Sequence, residues 1–372
     1  MIAGDCGEVT LNAAAGCAAW KRLRADCCSS VIQHTPAHAD VKREQACHGE
    51  DDQTIDKREE VTVKLVVTLM ILGSILAVAI LGGRVERLDV IVPDLEFLDV
   101  ESLTVDYLLV NSYYTDEVLR FDCRTGEYMG VFAAAAELDG PNGIALGPDG
   151  LLYVSSYDNA SVLRFDGESG RFVDVFIDRG VGGLETPQEL AFGPSGDLYV
   201  VLGDPAVLRY DGKTGEYLGE FATTDLVEPD CLVFGSDGLL YVGDLGTNDI
   251  KRYDANTGEF VDVFISSDEL NGPLGIAFGP DDLVYVSSAF NNRILRYSAA
   301  TGEFVDVFAA GEELDNPVDI VFDLQAGYLY VDNFNASNVL RYDLSTGQLI
   351  DIVVPSGSGG LQGAAYMLAM QY

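Results

Sequence analysis

A motif of about 44 residues recurs six times between residue 108 and the C-terminus, and this repeat constrains the fold more than any other feature of the sequence. Each copy contains four apolar runs of strand length, which are bounded by glycine, proline, asparagine or aspartate. Four short strands in a repeat of this length are typical of a propeller blade. We therefore predict an all-β fold, a six-bladed β-propeller of four-stranded antiparallel blades over residues 108–372. An aligned column with steps of 44, 46, 42, 44 and 45 residues marks the period: Leu109, Tyr153, Tyr199, Tyr241, Tyr285 and Tyr330.

The first and last repeats are incomplete in complementary ways. The first repeat begins at its second strand, residues 107–112, whereas the chain ends with an additional run of first-strand type, residues 361–368. We expect the C-terminal strand to complete the first blade and close the ring. Closure removes the exposed sheet edges that would otherwise promote aggregation.

An arginine occupies the same place in every repeat, and Phe or Tyr follows it each time. Six equivalent arginines on a strand indicate a repeated ion pair with an acidic residue of a neighbouring strand, within a blade or between blades. Six equivalent binding residues would be unusual. The column consists of Arg120, Arg164, Arg209, Arg252, Arg296 and Arg341.

The part of the chain before the repeats has a different composition. Residues 1–60 show no helical or alternating period and are expected to be a disordered tail. Residues 65–83 form an uncharged apolar run that is long enough to cross a bilayer as a helix. Segment 61–83 is therefore expected to be a transmembrane helix or a signal peptide, and both alternatives stay open. Residues 84–107 are an acidic connector. Either alternative leaves the propeller on the extracytoplasmic side, anchored in the membrane or secreted.

The charge of the chain restricts its partners. The formal net charge is −38 and the isoelectric point is near 4.1. Nucleic-acid binding requires a basic surface and is excluded, whereas cations and basic partners are electrostatically favoured. All three histidines, His34, His38 and His48, precede the repeats, so the propeller contains no histidine for a Ser-His-Asp or Cys-His arrangement.

The run Pro-Asn-Gly-Ile-Ala-Leu-Gly-Pro-Asp-Gly at residues 141–150, followed by Leu-Leu-Tyr-Val, resembles the repeat of NHL proteins. It is also similar to the SMP-30/gluconolactonase (TolB-like) group, and both resemblances imply a six-bladed propeller. In the gluconolactonase group, Glu, Asn and Asp from first strands hold a divalent metal. Asn142 resembles that Asn and Asp230 resembles that Asp, which implies a calcium site. The sequence has no counterpart of the Glu. Streptogramin lyases, which are similar propellers, need a histidine base that the repeats lack.

Propeller sites lie at a mouth of the central channel, where the first strand of each blade begins and the second ends. We expect function there because the repeat loses its regularity at these positions. Carboxylate and amide oxygens predominate among them, and such ligands suit calcium. The first-strand positions are Asn142, Gln188, Asp230, Leu274, Val318 and Gln362, with Glu189 and Asp319 beside them. The second-strand ends supply Asn111, Ser156, Asp244, Asp332 and Asn333.

Three functions are compatible with this pattern. The first is a binding or interaction module that recognises a small molecule or a protein at the channel mouth. Its expected ligand-binding residues are Asn111, Asn142, Gln188, Asp230, Asp244, Asp332 and Asn333. The second is a calcium-dependent lactonase or esterase, with Asn142 and Asp230 as metal ligands and Asp319 or Glu189 as the base. The third is an acidic surface protein with a structural role. The oligomeric state stays open.

Overall fold

The structure is a computed structural model that describes residues 65–70, 74–81, 84–87 and 105–370. The chain divides into two compact units, residues 1–99 and 100–372. The tail predicted for residues 1–60, and all of the connector except residues 84–87 and 105–107, lie outside the described residues.

The described part of the first unit is a three-stranded antiparallel sheet. It consists of β1 (Leu65–Met70), β2 (Ser74–Leu81) and β3 (Arg84–Arg87) in that order. The helix expected for the apolar run is therefore not found in these segments. The run is rich in β-branched residues and is divided by glycines at 73, 82 and 83, and both features favour short strands. Among the described residues, no helix has the length and apolarity that a bilayer crossing needs.

The second unit consists of six four-stranded antiparallel sheets, which are the predicted blades. Each strand pairs with the next strand of the same blade, and the first strand is innermost. Blade 1 consists of β27 (Ala364–Met370), β4 (Tyr107–Ser112), β5 (Glu117–Asp122) and β6 (Tyr128–Ala134). Blade 2 consists of β7 (Pro141–Leu146), β8 (Leu151–Ser156), β9 (Ser161–Asp166) and β10 (Phe172–Ile177). Blade 3 consists of β11 (Pro187–Phe192), β12 (Leu198–Leu202), β13 (Val207–Tyr210) and β14 (Tyr217–Ala222).

The remaining blades follow the same order. Blade 4 consists of β15 (Pro229–Phe234), β16 (Leu239–Asp244), β17 (Asp249–Asp254) and β18 (Phe260–Ser266). Blade 5 consists of β19 (Pro273–Phe278), β20 (Leu283–Ser288), β21 (Arg293–Ser298) and β22 (Phe304–Ala310). Blade 6 consists of β23 (Pro317–Asp323), β24 (Tyr328–Asn333), β25 (Asn338–Asp343) and β26 (Leu349–Val354). Short 3-10 turns lie in the loops at Tyr113–Thr115, Val181–Gly183, Ala289–Asn291 and Ser358–Gly360.

The C-terminal strand closes the ring as predicted. Strand β27 pairs with β4 and packs between the first strands of blades 6 and 2. Its register places Ala364 opposite Ser112, where Pro141 lies opposite Ser156 in blade 2. The mouth position of blade 1 is therefore Ala365, and the prediction of Gln362 was wrong. This strand lacks the proline that marks the register of the other first strands, so the sequence did not show where it begins.

Aromatic contacts hold neighbouring blades together. Tyr153 makes edge-to-face contacts with Phe176 of its own blade, at 5.1 Å between ring centroids, and with Phe192 of the next blade, at 4.8 Å. Edge-to-face pairs of this kind contribute roughly 0.5–1.5 kcal/mol each beyond their burial. Tyr199, Tyr241 and Tyr285 make the equivalent pairs in blades 3, 4 and 5. The tyrosine column that marks the period is thus part of the packing between blades.

Five of the six arginines of the column form ion pairs within their blades, as expected; Arg120 is the exception. Arg164 binds Asp174 through two parallel hydrogen bonds of 2.8 and 2.7 Å, from the third strand to the fourth. The same pairs recur as Arg252–Asp262, Arg296–Asp306 and Arg341–Asp351. Arg209 pairs instead with Asp197. These contacts identify the column as structural.

Candidate functional site

An open cavity of about 250 Å³ lies at the mouth of the central channel, and the first strand of every blade contributes at least one residue to it. Five of the six first-strand positions chosen from the sequence meet here, and Ala365 replaces Gln362. Tyr366 and loop residues complete the lining. The six first-strand residues are Asn142, Gln188, Asp230, Leu274, Val318 and Ala365.

The cavity wall is polar along one arc, formed by blades 2, 3 and 4. The side-chain amide of Asn142 donates a hydrogen bond to the amide oxygen of Gln188. The buried carboxylate of Asp230 follows in blade 4. This arc therefore presents amide and carboxylate groups from three consecutive blades.

The first-strand residues of the opposite arc are apolar, and aromatic rings from the loops of blades 6, 1 and 2 lie above the first strands. Leu274, Val318 and Ala365 line this arc from blades 5, 6 and 1. Above the first strands, the ring of Tyr113 lies 6.2 Å from Tyr157 and 5.7 Å from Phe334 between centroids.

Sequence reasoning did not single out these aromatic residues. Each of the three follows a second strand directly, at a position that Gly203, Leu245 and Ala289 occupy in the other blades. An aromatic residue in three of six equivalent places is the signal that could have identified Tyr113, Tyr157 and Phe334.

Tyr366 lines the cavity from the C-terminal strand. Its backbone has φ of 47° at a β-bulge. The hydroxyl lies 2.9 Å from Asp230 Oδ1 and 2.8 Å from the carbonyl oxygen of Leu274. A phenol has one proton for these two acceptors. Both contacts are satisfied when Asp230 is protonated and donates to Tyr366, which then donates to Leu274.

The environment of Asp230 makes both the protonated and the ionised form accessible near neutral pH. Its pKa is raised to about 7, mainly by burial; the hydrogen bond from Tyr366 opposes this rise, and the charge of Glu228 adds to it. Burial likewise raises the pKa of Tyr366 well above its usual value. Asp230 therefore changes its charge near neutral pH.

The two candidate bases lie one residue further along their first strands and do not line the cavity. Glu189 accepts a hydrogen bond of 2.7 Å from the backbone of Leu232. Asp319 accepts backbone hydrogen bonds from Ile320 and Met367, at 2.7 and 3.1 Å. Burial raises the pKa of Asp319 to about 6 and that of Glu189 well above its usual value.

The penultimate residues of the second strands hydrogen-bond to first strands, and in blades 1 and 2 these bonds connect neighbouring blades. The hydroxyl of Ser155 donates to the carbonyl of Gln188 at 2.7 Å, and the amide of Asn111 donates to the carbonyl of Asn142. Asp332 holds the equivalent place in blade 6 but makes its contact within that blade, where it accepts a hydrogen bond of 2.6 Å from the backbone of Asp319. These contacts place Asn111 and Asp332 behind the first strands, away from the cavity lining.

The last residues of the second strands hold loops in place. Asp244 accepts backbone hydrogen bonds from Val227 and Glu228, at 2.8 and 3.0 Å. Asn333 accepts a hydrogen bond of 3.1 Å from the loop backbone of Asp315. Both side chains are fully buried and are not part of the cavity lining. Of the seven residues expected to bind a ligand, the structure thus brings together Asn142, Gln188 and Asp230.

The fit of calcium can be judged from the donors that the cavity offers. Among the described residues, no group of three or more His, Cys, Asp or Glu side chains is placed to hold a metal ion. The two ligands suggested by the resemblance offer an Asn142 amide oxygen and an Asp230 carboxylate that is already hydrogen-bonded to Tyr366. Calcium ordinarily takes six to eight oxygens. The donors at the cavity therefore do not fit a calcium site.

Comparison with known proteins supports the fold. The chain matches no protein-family profile and no curated protein sequence. Among solved structures, it is similar to a chain of "Crystal structure of Nidogen/Laminin Complex", with 18% identity and a TM-score of 0.58. The similarity covers 71% of this chain and 98% of that chain. At this identity the likeness shows a common propeller fold.

Proposed function

We propose that the propeller is a binding module that recognises a small molecule or a segment of another protein at the channel mouth. The observation that carries this proposal is the mouth cavity. It is formed where six otherwise similar blades differ, and it combines amide and carboxylate groups from blades 2, 3 and 4 with aromatic rings from the loops of blades 6, 1 and 2. Pockets that combine apolar walls with a few polar groups are typical of ligand sites.

A protein ligand agrees with the structural neighbour, whose title names a complex of two proteins. NHL-like propellers, which the repeat resembles, provide the same rigid ring of loops. The charge of −38 further favours a basic or cationic partner, because a strongly acidic protein attracts such partners over a distance.

The test is a binding screen with defined probes, followed by assignment to the cavity. The full chain would be screened by ligand-observed NMR against blocked amino acids, simple sugars, small amines and small carboxylates. Any probe that binds would be measured again with Phe334→Ala, which removes a cavity ring. Phe290→Ala removes an exposed ring outside the cavity lining, in the loop after the second strand of blade 5, and serves as the control. Binding that is weakened by Phe334→Ala but not by Phe290→Ala supports the proposal. Failure to find any probe that behaves in this way contradicts it.

The lactonase or esterase alternative can be tested with the same protein. Lactones and aryl esters would be assayed with and without added calcium. Hydrolysis that depends on calcium and is lost in both Asn142→Ala and Asp230→Ala would show that the propeller is a hydrolase and would contradict the binding-module proposal.

We further propose that the propeller works on the extracytoplasmic side, anchored through the apolar run at 65–83 or released by cleavage near it. The support is the hydropathy of the sequence. Fractionation of cells, with N-terminal sequencing of the mature protein, distinguishes the anchored form from the cleaved one. Recovery of the intact chain in the cytoplasmic fraction contradicts both.

A further inference from the structure

Asp230 presents an incompletely paired carboxylate to the cavity. The residue is 6% exposed and lines the cavity wall. Its Oδ1 contacts Tyr366, and its Oδ2 has no hydrogen-bond partner among the residues that the structure describes. A buried carboxylate is unfavourable unless a hydrogen bond or an opposite charge compensates it. One acceptor at this wall is therefore open to a donor from outside the protein.

The surroundings of this carboxylate are negative. No lysine or arginine is among the described residues that line the cavity. Burial raises the pKa of Tyr157, and the charges of Asp158, Asp230 and Glu228 raise it further. Asp204 contributes in the same direction, so the tyrosine lies in the combined field of four carboxylates, and this field favours a cation over a neutral or anionic group.

The aromatic wall has the same preference. Tyr113 is tilted by 56° to Tyr157 and by 65° to Phe334, so the three rings form adjoining walls rather than a flat stack. The faces of such rings attract ammonium and guanidinium groups. They also provide apolar surface for the carbon atoms that carry the charge.

The size of the cavity limits what enters it. A volume of about 250 Å³ lies below the roughly 300–1,000 Å³ of pockets that enclose a drug-sized ligand. The space suits one side chain or a small amine.

We propose that the mouth cavity binds an organic cation, an ammonium or guanidinium group on an apolar stem, with its N–H donated to Asp230 and its stem against Tyr113, Tyr157 and Phe334. This inference rests on the proposed function and specifies its ligand class. A lysine or arginine side chain of a protein partner presents this chemistry, and so does a free small amine.

Calorimetric titration of the full chain tests the inference. The probes are Nα-acetyl-lysine methylamide, its neutral Nε-acetylated counterpart, the blocked arginine and phenethylammonium. We expect saturable binding of the cationic probes and binding of the neutral counterpart that is at least about tenfold weaker, since it lacks the charged donor. A blocked Gly-Lys-Gly peptide that binds more tightly than phenethylammonium identifies a protein partner as the source, and the reverse order identifies a free amine.

Two variants locate the binding. Asp230→Asn keeps the size of the side chain and should weaken cation binding at least about tenfold. Phe334→Ala should weaken it about three- to tenfold, whereas Phe290→Ala should leave it unchanged. The phenylalanine pair keeps the test decisive if Asp230→Asn fails to fold.

The outcomes separate the inference from the proposed function. Equal binding of the cationic and neutral probes, or no saturable binding of any cation, overturns the inference. If cations fail to bind but a neutral ligand, such as a sugar, binds in a way that depends on Phe334, the inference is overturned while the binding-module proposal stays in place. If no probe of any class depends on Phe334, both proposals fail.

Discussion

The phenol oxygen of Tyr366 lies 2.9 Å from a carboxylate oxygen of Asp230, so the last strand of the chain is hydrogen-bonded to the blade on the opposite side of the ring. Tyr366 belongs to blade 1 and Asp230 to blade 4. The bulge at Tyr366 is what allows this contact. The C-terminal strand therefore closes the ring in two ways, by pairing with β4 and by spanning the channel.

Removal of this hydroxyl should destabilise the propeller. Tyr366→Phe leaves the ring in place but removes the partner of a buried carboxyl oxygen, so we expect a loss of about 1–3 kcal/mol in the free energy of unfolding. Urea denaturation followed by circular dichroism measures this loss. Tyr114→Phe, at a side chain that is 63% exposed, is the control and should change stability little. Equal effects of the two substitutions would show that the contact across the channel contributes nothing.

The raised pKa of Asp230 predicts how stability depends on pH. Its pKa is about 7 in the folded protein, against about 3.9 for an unfolded chain. Between these values the folded state holds a proton that the unfolded state has lost. Asp230 therefore makes folding more favourable as the pH falls from about 8 to 5, by up to ~1.4 kcal/mol per unit, and this contribution is lost as the pH rises through 7.

The variant Asp230→Asn isolates this effect from its neighbours. Asp319, with a pKa raised to about 6, and Glu189 act in the same direction and remain in the variant. Arg164 lowers the pKa of Asp174, so Asp174 has the opposite effect on the pH dependence of stability, and this effect appears only below about pH 4. Urea midpoints measured at several pH values should depend less on pH in Asp230→Asn than in the wild type. Exposed Asp178→Asn is the control, and an unchanged pH profile in Asp230→Asn would contradict the prediction.

The fold could be predicted from the sequence because it is repeated. The strand count and the period can be read from six copies, so an error in one copy is corrected by the others. The incomplete first and last copies predict the closure. The apolar run at 65–83 has no such support. Its hydropathy suits a membrane helix, but its β-branched residues and glycines suit the strands that its described parts form.

The site was only partly predictable because it depends on single residues that differ between blades. The prolines before Asn142, Gln188 and Asp230 mark their register, so these residues could be placed at the mouth. No proline marks the closing strand, and nothing in the sequence signals the bulge that places Tyr366 against Asp230. Asp244 lies at one of the positions where the repeat loses its regularity, but its side chain contacts loop backbone and does not line the cavity.

The repeated arginine pairs should contribute to stability in proportion to their hydrogen bonds. Arg296→Lys removes the two parallel bonds to Asp306, and we expect a loss of about 1 kcal/mol since both side chains are partly exposed. Arg120 is the matched control because Gly130 occupies the place of Asp306 in its blade. Arg120→Lys should cost less in urea denaturation, and an equal or larger cost would argue against the ion pair.

Lys251 lies at a core position where the other blades have leucine. This difference predicts that the stability lost in Lys251→Leu can be restored by further substitutions. Lys251 is fully buried, with its Nζ 3.0 Å from Asp244 and 2.6 Å from Asp249. Lys251→Leu leaves two carboxylates without their cation, so we expect a loss of about 3–5 kcal/mol in the free energy of unfolding. The other five blades have leucine at this position: Leu119, Leu163, Leu208, Leu295 and Leu340.

Blade 2 shows which further changes should restore stability. It combines Leu163 with Ser156 and Ser161, at the places of Lys251, Asp244 and Asp249. Ser156 accepts a loop N–H at 2.8 Å, as Asp244 does, so serine can hold the loop without a charge. The triple variant Lys251→Leu, Asp244→Ser, Asp249→Ser should therefore unfold within about 1–2 kcal/mol of the wild type, since replacing a whole buried ion pair is tolerated better than removing one partner. A triple variant as unstable as Lys251→Leu would contradict this and would mean that the buried ion pairs make a net contribution to the free energy of unfolding.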